Sequence, residues 1–215
     1  MSKISLCLFI LIWAFQAQAG LFLEPFANRV GGQWSQEASV ILPSTTTYKS
    51  EGDLTGYQYG GRAGYIWDNF NLSLQISAGK GKLKSNKQTS TSGGTSLVTN
   101  LDDINFNRTD NGMVLGYKFG PMFRMWFSAL TANLKAKESD GTITKYKGVT
   151  GLLGFGWYIG QIVSINLEFG GSLYSEENGK SYPITDSSSG STTVHTQEYK
   201  ETLFLFGVSI PLGLY

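Results

Sequence analysis

The chain has 215 residues, with 17 Lys and Arg against 16 Asp and Glu, a formal net charge of +1, one cysteine and an aromatic fraction of 13%. Near-neutrality excludes a global basic field of the kind that draws nucleic acid, and one cysteine excludes an intramolecular disulfide. Beyond the amino-terminal segment every apolar run is broken by polar residues or glycines; the most apolar, 203–214, is too short for a membrane helix and contains Gly207 and Pro211.

Residues 1–19 contain Lys3, an apolar stretch from Ile4 to Phe15 and the tripeptide Ala17-Gln18-Ala19, the layout of a secretory signal cleaved before Gly20. A spanning helix would need about 20 apolar residues, more than this segment has. The expected organisation is a signal peptide at 1–19 and one exported domain at 20–215. Cys7 lies in the signal, and removing Lys3 leaves 16 Lys and Arg against 16 Asp and Glu.

The exported domain is patterned with a period of two, which a strand can use and a helix cannot. Eight strands are predicted, at about 21–34, 54–67, 70–80, 106–119, 123–135, 145–159, 163–174 and 197–213. The first sets Leu21 and Leu23 against Phe22, Glu24, Phe26 and Asn28. Glu24 is assigned inward because a carboxylate facing lipid is expensive. In the second, Tyr57, Tyr59, Ala63, Tyr65 and Trp67 share a face opposite Gln58, Gly60, Arg62 and Gly64. The third opposes Phe70, Leu72, Leu74, Ile76 and Ala78 to Asn71, Ser73, Gln75, Ser77 and Gly79. The fourth turns Met113, Leu115, Tyr117 and Phe119 outward and Asp110, Gly112, Gly116 and Lys118 inward.

The fifth strand begins with Phe123, Met125 and Phe127 outward opposite Arg124 and Ser128, but Leu130, Ala132 and Leu134 then switch parity. A β-bulge near Ser128 or Ala129 would produce that switch, as would imperfect patterning. The sixth places Val149, Leu153, Phe155, Trp157 and Ile159 outward. The seventh alternates Val163, Ile165, Leu167, Phe169 and Leu173 with Ser164, Asn166, Glu168, Gly170 and Ser172. The eighth alternates Thr202, Phe204, Phe206, Val208, Ile210 and Leu212 with Glu201, Leu203, Leu205, Gly207 and Ser209.

Three connections are tight: Asp68-Asn69, Gly120-Pro121-Met122 and Gly160-Gln161-Ile162. Residues flanking a hairpin loop pair and share a face, so Trp67 with Phe70, Phe119 with Phe123 and Ile159 with Val163 support the assigned phases. The other four connections, about 35–53, 81–105, 136–144 and 175–196, read as long polar loops. They include the low-complexity runs SNKQTSTSGGTS and TDSSSGSTT, whose composition predicts no order of their own.

The pattern therefore predicts an all-β, eight-stranded, antiparallel up-and-down transmembrane β-barrel. In these features the chain resembles the small eight-stranded outer-membrane barrels of the OmpA/OmpX type. The resemblance covers essentially the whole exported domain and rests on a signal peptide, eight alternating strands, short and long connections in strict alternation, and aromatics near strand ends. It implies a location in a bacterial outer membrane with both termini periplasmic, contact with outer-membrane lipid and lipopolysaccharide, and engagement of the barrel-insertion machinery during biogenesis. It also implies a monomer without enzymatic activity. Tyr215, the terminal aromatic, falls on the inward parity, one residue out of step with the outward register of such insertion signals.

Glu24, Arg62, Asp110, Lys118, Arg124, Glu168 and Glu201 all fall on inward parity. An eight-stranded barrel is just wide enough for its own side chains, so these charges are expected to pair as a polar core. Arg62 and Glu168 are expected among the pairs, and Trp126 and Tyr158 should fill the lumen. Tyr57, Tyr65, Trp67, Phe119, Phe123, Trp157 and Tyr174 are expected in interfacial aromatic girdles.

Lys80, Lys82, Lys84 and Lys87 crowd the start of the second long connection, where they could meet lipopolysaccharide phosphates or simply be solvated. His195, the only histidine, lies among Ser and Thr in the last connection without a recognisable nucleophile spacing. No catalytic, metal or cofactor site is expected, and the glycine cluster at 148–156 lacks the Lys-Ser/Thr ending of a phosphate loop. The function expected is structural or surface contact through the external connections with lipopolysaccharide, surfaces or partner proteins. The alternatives are a narrow pore or small-solute transporter through the polar lumen and, third, a lipid-modifying enzyme.

Overall fold

A computed structural model describes residues 19–41, 45–92, 95–99, 103–160, 162–188, 191–195 and 199–214. Of the segment expected as a signal peptide at 1–19 all but Ala19 lies outside them, as does Tyr215. The strands are β1 (Ala19–Ile41), β2 (Thr45–Trp67), β3 (Phe70–Ser92), β4 (Thr95–Thr99), β5 (Ile104–Phe119), β6 (Phe123–Lys137), β7 (Ile143–Ile159), β8 (Val163–Glu177), β9 (Lys180–Ser181), β10 (Ile184–Ser188), β11 (Ser191–His195), β12 (Tyr199–Ser209) and β13 (Leu212–Leu214). Eight of them, β1, β2, β3, β5, β6, β7, β8 and β12, pair antiparallel in that order, and β12 returns to β1. The result is a closed up-and-down barrel, with β13 extending the seam against Leu21–Leu23.

The pairings fix its geometry. From Ala19, partners run through Trp67, Phe70, Tyr117, Met125, Phe155, Leu167 and Phe206 and return to β1 at Arg29, ten residues further along the strand. For eight strands staggered by ten residues, with a rise of about 3.3 Å and a spacing of about 4.8 Å, the strands tilt by about 41°. Each row of partners therefore climbs about 3 Å per strand toward the end opposite the tight turns.

The burial pattern is inverted relative to a water-soluble sheet. Glu24, Arg62 and Glu168 are buried, while Leu74 is 63% and Ile76 72% exposed. On β2 the apolar face is bracketed by Trp67 and Tyr57; their ten-residue separation at this tilt spans about 25 Å, the height of the oily band on a membrane barrel. So large a continuous apolar surface is untenable in water and is satisfied by hydrocarbon. The three tight turns lie at one end, and Trp67–Phe70, Phe119–Phe123 and Ile159–Val163 pair across them as expected. Asp68, Gly120 and Gly160 adopt positive φ there, the conformation these reversals require.

Four expectations need correction. First, three of the connections read as long loops are largely strand: β1 and β2 pair without interruption as far as Ile41 and Thr45, β3 runs to Ser92 and pairs with β4, and β10 pairs with β11. The described parts of both low-complexity runs lie in these strands. Hairpin hydrogen bonding continues past the membrane without apolar alternation, and the Thr, Ser and Tyr of these segments suit a pleated backbone. Second, the connection at 136–144 reduces to a turn at 138–142, where Asp140 accepts hydrogen bonds from the Thr142 amide (2.8 Å) and hydroxyl (2.9 Å), holding its carboxyl below the usual range.

Third, no bulge separates Ser128 from Leu130: the β5–β6 and β6–β7 registers are continuous, and Leu130, Ala132 and Leu134 point inward. The strand keeps its phase while the lumen changes from polar to apolar. Fourth, Tyr174 is buried inside the barrel rather than placed in an outer girdle.

On the outward face of β5, Leu115 sits near mid-band and Thr109, opposite Ala78, near its upper edge. Leu115→Arg should cost roughly 2–4 kcal/mol of folding free energy, and Thr109→Arg no more than about 1 kcal/mol. Reversible urea unfolding in lipid vesicles measures both; equal costs would displace the band from the height assigned to it.

Candidate functional site

The polar interior is the most organised constellation of side chains, and it resolves into two ion clusters. Near the tight-turn end, Arg62 on β2 donates from Nη2 to Glu168 Oε1 at 2.9 Å, from Nη1 to Glu24 Oε2 at 3.4 Å and from Nε to Gln75 Oε1 at 2.8 Å. Arg124 on β6 donates from Nη2 to the other oxygen of Glu24, to Asn166 Oδ1 at 3.2 Å and to Ser209 Oγ at 3.0 Å. Two guanidinium groups thus balance two carboxylates. The indole of Trp126 contacts both, with each guanidinium carbon 4.7 Å from its ring centroid. Both guanidinium groups thus stand over the indole, whose negative quadrupole attracts cations.

Glycine makes that stack possible. A Cβ on Gly154 would stand 2.1 Å from the Trp126 ring, and one on Gly156 would stand 2.8 Å from Arg124 Nε. Within the cluster at 148–156, Gly154 and Gly156 are therefore clearance for lumen side chains, whereas a Cβ on Gly148 would meet the β8 backbone and one on Gly151 would meet nothing.

The second cluster lies further toward the hairpin end and centres on Arg108. Its Nε donates to Asp110 Oδ1 at 2.8 Å, its Nη1 to Glu201 Oε2 at 2.7 Å, and its Nη2 to Thr150 Oγ1 at 2.7 Å and Ser172 Oγ at 3.0 Å. Gln58 donates to Asp110 at 2.8 Å, while the hydroxyls of Tyr174 and Tyr199 donate to Glu201 at 3.1 and 3.2 Å. One guanidinium serves two carboxylates here, and the neutral donors supply the rest. Arg108 was absent from the expected interior set, although it shares Asp110's parity two residues away. Reading the alternation outward past Asp110 would have found it.

Along β12 the inward residues run Ser209, Gly207, Leu205, Leu203, Glu201 and Tyr199. A polar level, an apolar collar, a second polar level and an aromatic cap follow one another in that order. Leu130 and Leu152 belong to the collar, and Trp34, Leu54, Leu83, Phe106 and Leu134 join Tyr174 and Tyr199 in the cap. Trp34 and Tyr146 stack on Tyr199 with centroids at 5.9 and 4.8 Å.

Of the seven charged residues expected inside, Glu24, Arg62, Asp110, Arg124, Glu168 and Glu201 are buried and joined in these two clusters. Lys118 is the exception. It is half-buried at the tight-turn mouth, with Nζ 5.3 Å from the Tyr158 ring centroid, and takes no part in either cluster's ion pairs. Tyr158 also faces Arg124 at 5.3 Å, so Trp126 and Tyr158 both occupy the interior as expected.

Lys80, Lys82 and Lys84 stand exposed on the outer face of β3; the side chain of Lys87 lies outside the described ones. His195 ends β11 opposite Ile184, and its side chain is likewise outside them. Among the described residues, no three His, Cys, Asp or Glu side chains group as a metal site. Beyond the band, Gln36 donates to Glu177 at 3.2 Å and to Tyr182 at 3.0 Å, and Tyr182 donates to Glu177 at 2.7 Å. Burial and then the bond to Glu177 hold the Tyr182 phenol above its ordinary range, and the trio ties β1 to the end of β8.

No family model matches the chain, and no curated protein matches it in sequence. Among solved structures, Neisserial surface protein A is similar over 89% of this chain and 97% of its own, at 10% identity and a TM-score of 0.46. The outer membrane protein OprG from Pseudomonas aeruginosa is similar over 91% and 97%, at 12% identity and a TM-score of 0.47. Ail, the attachment invasion locus protein of Yersinia pestis, solved in complex with the heparin analogue sucrose octasulfate, is similar over 87% and 99%, at 9% identity and a TM-score of 0.39.

Removing one partner from a buried ion cluster leaves the others uncompensated. Arg62→Met should therefore destabilise the barrel by about 3–5 kcal/mol, and pairing it with Glu168→Gln should recover part of that loss. The unfolding midpoint in urea reports both, and a double variant no better than the single one would separate Arg62 from Glu168 energetically.

Proposed function

We propose that this chain is a monomeric surface barrel of a bacterial outer membrane, exported by the signal at 1–19, with no enzymatic activity. Its tight turns and both termini face the periplasm, and its long hairpins face outside. The observation that carries this reading is the division between a filled interior and an extended exterior. The lumen is crossed by two paired charge levels, an apolar collar and an aromatic cap, whereas β1 and β2 continue together for twelve residues past Arg29, about 40 Å of strand length. Material invested beyond the membrane, over a plugged interior, favours a contact function over conduction.

The hairpins and the outward lysines are the surfaces for that work, toward lipopolysaccharide, other surfaces or partner proteins, and the insertion machinery is the partner during biogenesis. Both oxygens of Glu24, Asp110 and Glu201 already accept from guanidinium, amide or hydroxyl donors, and Glu168 accepts at Oε1 while its Oε2 has no partner among the described residues. An ion entering would therefore displace bonds already made at three of the four carboxylates.

Purified protein in planar bilayers should give no stable open-channel steps, and neither should a variant in which residues 36–50 are replaced by a two-residue turn. Stable steps from the wild type would replace this reading with that of a narrow pore. Loss of folding on hairpin removal, seen as loss of heat-modifiable gel mobility, would make the hairpin part of the barrel's stability rather than a surface device.

A further inference from the structure

Most of the outward cations among the described residues are gathered at one level, Lys49 and Lys180 standing apart from it. A single row of paired residues runs Arg29, Tyr57, Lys80, Asn107, Lys135 and Lys145 across β1, β2, β3, β5, β6 and β7. All six are exposed on the outer wall. The neighbouring positions Lys82, Lys137, Lys147 and, on β12, Lys200 are exposed there too. Because rows climb about 3 Å per strand, these lysines stand between about 3 and 15 Å beyond Tyr57, just past the upper edge of the apolar band. The outward face at the tight-turn end carries no Lys or Arg among the described residues.

Two features of this belt call for an external anion. Lys135 and Lys145 are direct cross-strand partners, an arrangement of like charges that disfavours the sheet. Carboxylates do not relieve it: among the described residues, Lys80, Lys82, Lys135, Lys137 and Lys145 form no ion pair, while Lys147 reaches Glu176 at 3.7 Å. Glu138 and Asp140 lie in the turn beyond Lys137, and Asp140 is engaged with Thr142. A long lysine stem can lie along the apolar wall and carry its ammonium to the headgroup level, where anionic lipid attracts it.

We propose that the faces of β3, β5, β6 and β7 above the band form a docking surface for the phosphate groups of phosphorylated glycolipid in the surrounding outer leaflet, with Lys80, Lys82, Lys135, Lys137 and Lys145 as its contacts. This rests on the membrane-barrel reading and extends it: the partner is a lipid phosphate, and the site runs across β3, β5, β6 and β7, beyond the β3 lysines that the sequence singled out. Continuity with the lipid-facing band selects a lipid over a soluble anion, since the ammonium groups stand directly above the surface that acyl chains cover.

The test uses the folded, full-length exported domain in detergent, with diphosphoryl lipid A and its dephosphorylated form added separately and binding read by native mass spectrometry. The wild type should prefer the phosphorylated lipid at least tenfold, and that preference should fall as salt is raised. Changing the five lysines to Gln should abolish the preference while leaving heat-modifiable gel mobility and insertion into phosphatidylcholine vesicles intact. Equal binding of the two lipids by the wild type, or an unchanged preference in the variant, would overturn the docking surface alone. Failure of the wild type to insert into phosphatidylcholine vesicles would overturn the barrel reading with it. Should the five-residue variant not fold, Lys135→Gln with Lys145→Gln, which removes only the like-charge pair, must still reduce the preference at least threefold.

Discussion

A backbone that crosses hydrocarbon finds no water for its N–H and C=O groups, so a sheet there has to close on itself. Most other features of this chain follow from that closure. Eight strands with a ten-residue stagger define a wall whose inside admits side chains and little more. Once the outside is surrendered to lipid, every charge that is not above or below the band has to be inside. Interior charges cannot then be solvated individually, which makes their pairing a condition of folding rather than an added stabilisation.

The two clusters meet this condition differently. At the tight-turn end, Arg62 and Arg124 balance Glu24 and Glu168, and both guanidiniums stand over the ring of Trp126. A ring of that size fits a lumen this narrow only by lying over the neighbouring strand, and Gly154, its cross-strand partner, and Gly156 leave the room. Around Arg108 the charges do not balance, and phenol, amide and hydroxyl donors complete the shells of Asp110 and Glu201. Tyr174 and Tyr199 serve twice there: their hydroxyls satisfy Glu201 while their rings build the cap above it. Polar satisfaction and apolar filling are therefore achieved there by the same residues.

What the sequence made legible was whatever the membrane imposes. Within the band the two faces of each strand differ in kind, so Leu21 against Glu24 or Leu115 against Asp110 identified phase, and paired aromatics across tight turns confirmed it. Past the cap residues Trp34, Leu54 and Leu83 the faces of β1, β2 and β3 no longer differ consistently in kind, alternation carries little contrast, and strand continuation to Ile41, Thr45 and Ser92 left no clear periodic trace. Inside the barrel the assumption of a polar lumen misled at Leu130, Ala132 and Leu134: their inward parity was correct, and only their oiliness suggested a bulge. Tyr174 was misplaced for a related reason. An aromatic near a strand end suits a headgroup girdle, yet its parity with Ser172 already pointed inward. In each case the pleat was the sounder guide, because a one-residue slip would turn a whole strand inside out, whereas side-chain polarity can vary from level to level along the lumen.

That distinction also bears on how such a chain divides its surface. The lipid-facing band is constrained by hydrocarbon and the lumen by charge pairing and volume, so neither has much freedom to acquire a specific partner. The wall above the band is constrained by neither, yet the same closed register holds it rigid: Lys80, Asn107, Lys135 and Lys145 occupy adjacent strands of one hydrogen-bonded row. Groups on such a row are held at strand spacing without further ordering, so an anion that bridges them meets a surface whose conformational cost was met by folding. Recognition is thus most economical where the barrel leaves the membrane, and there the sheet places its uncompensated charge.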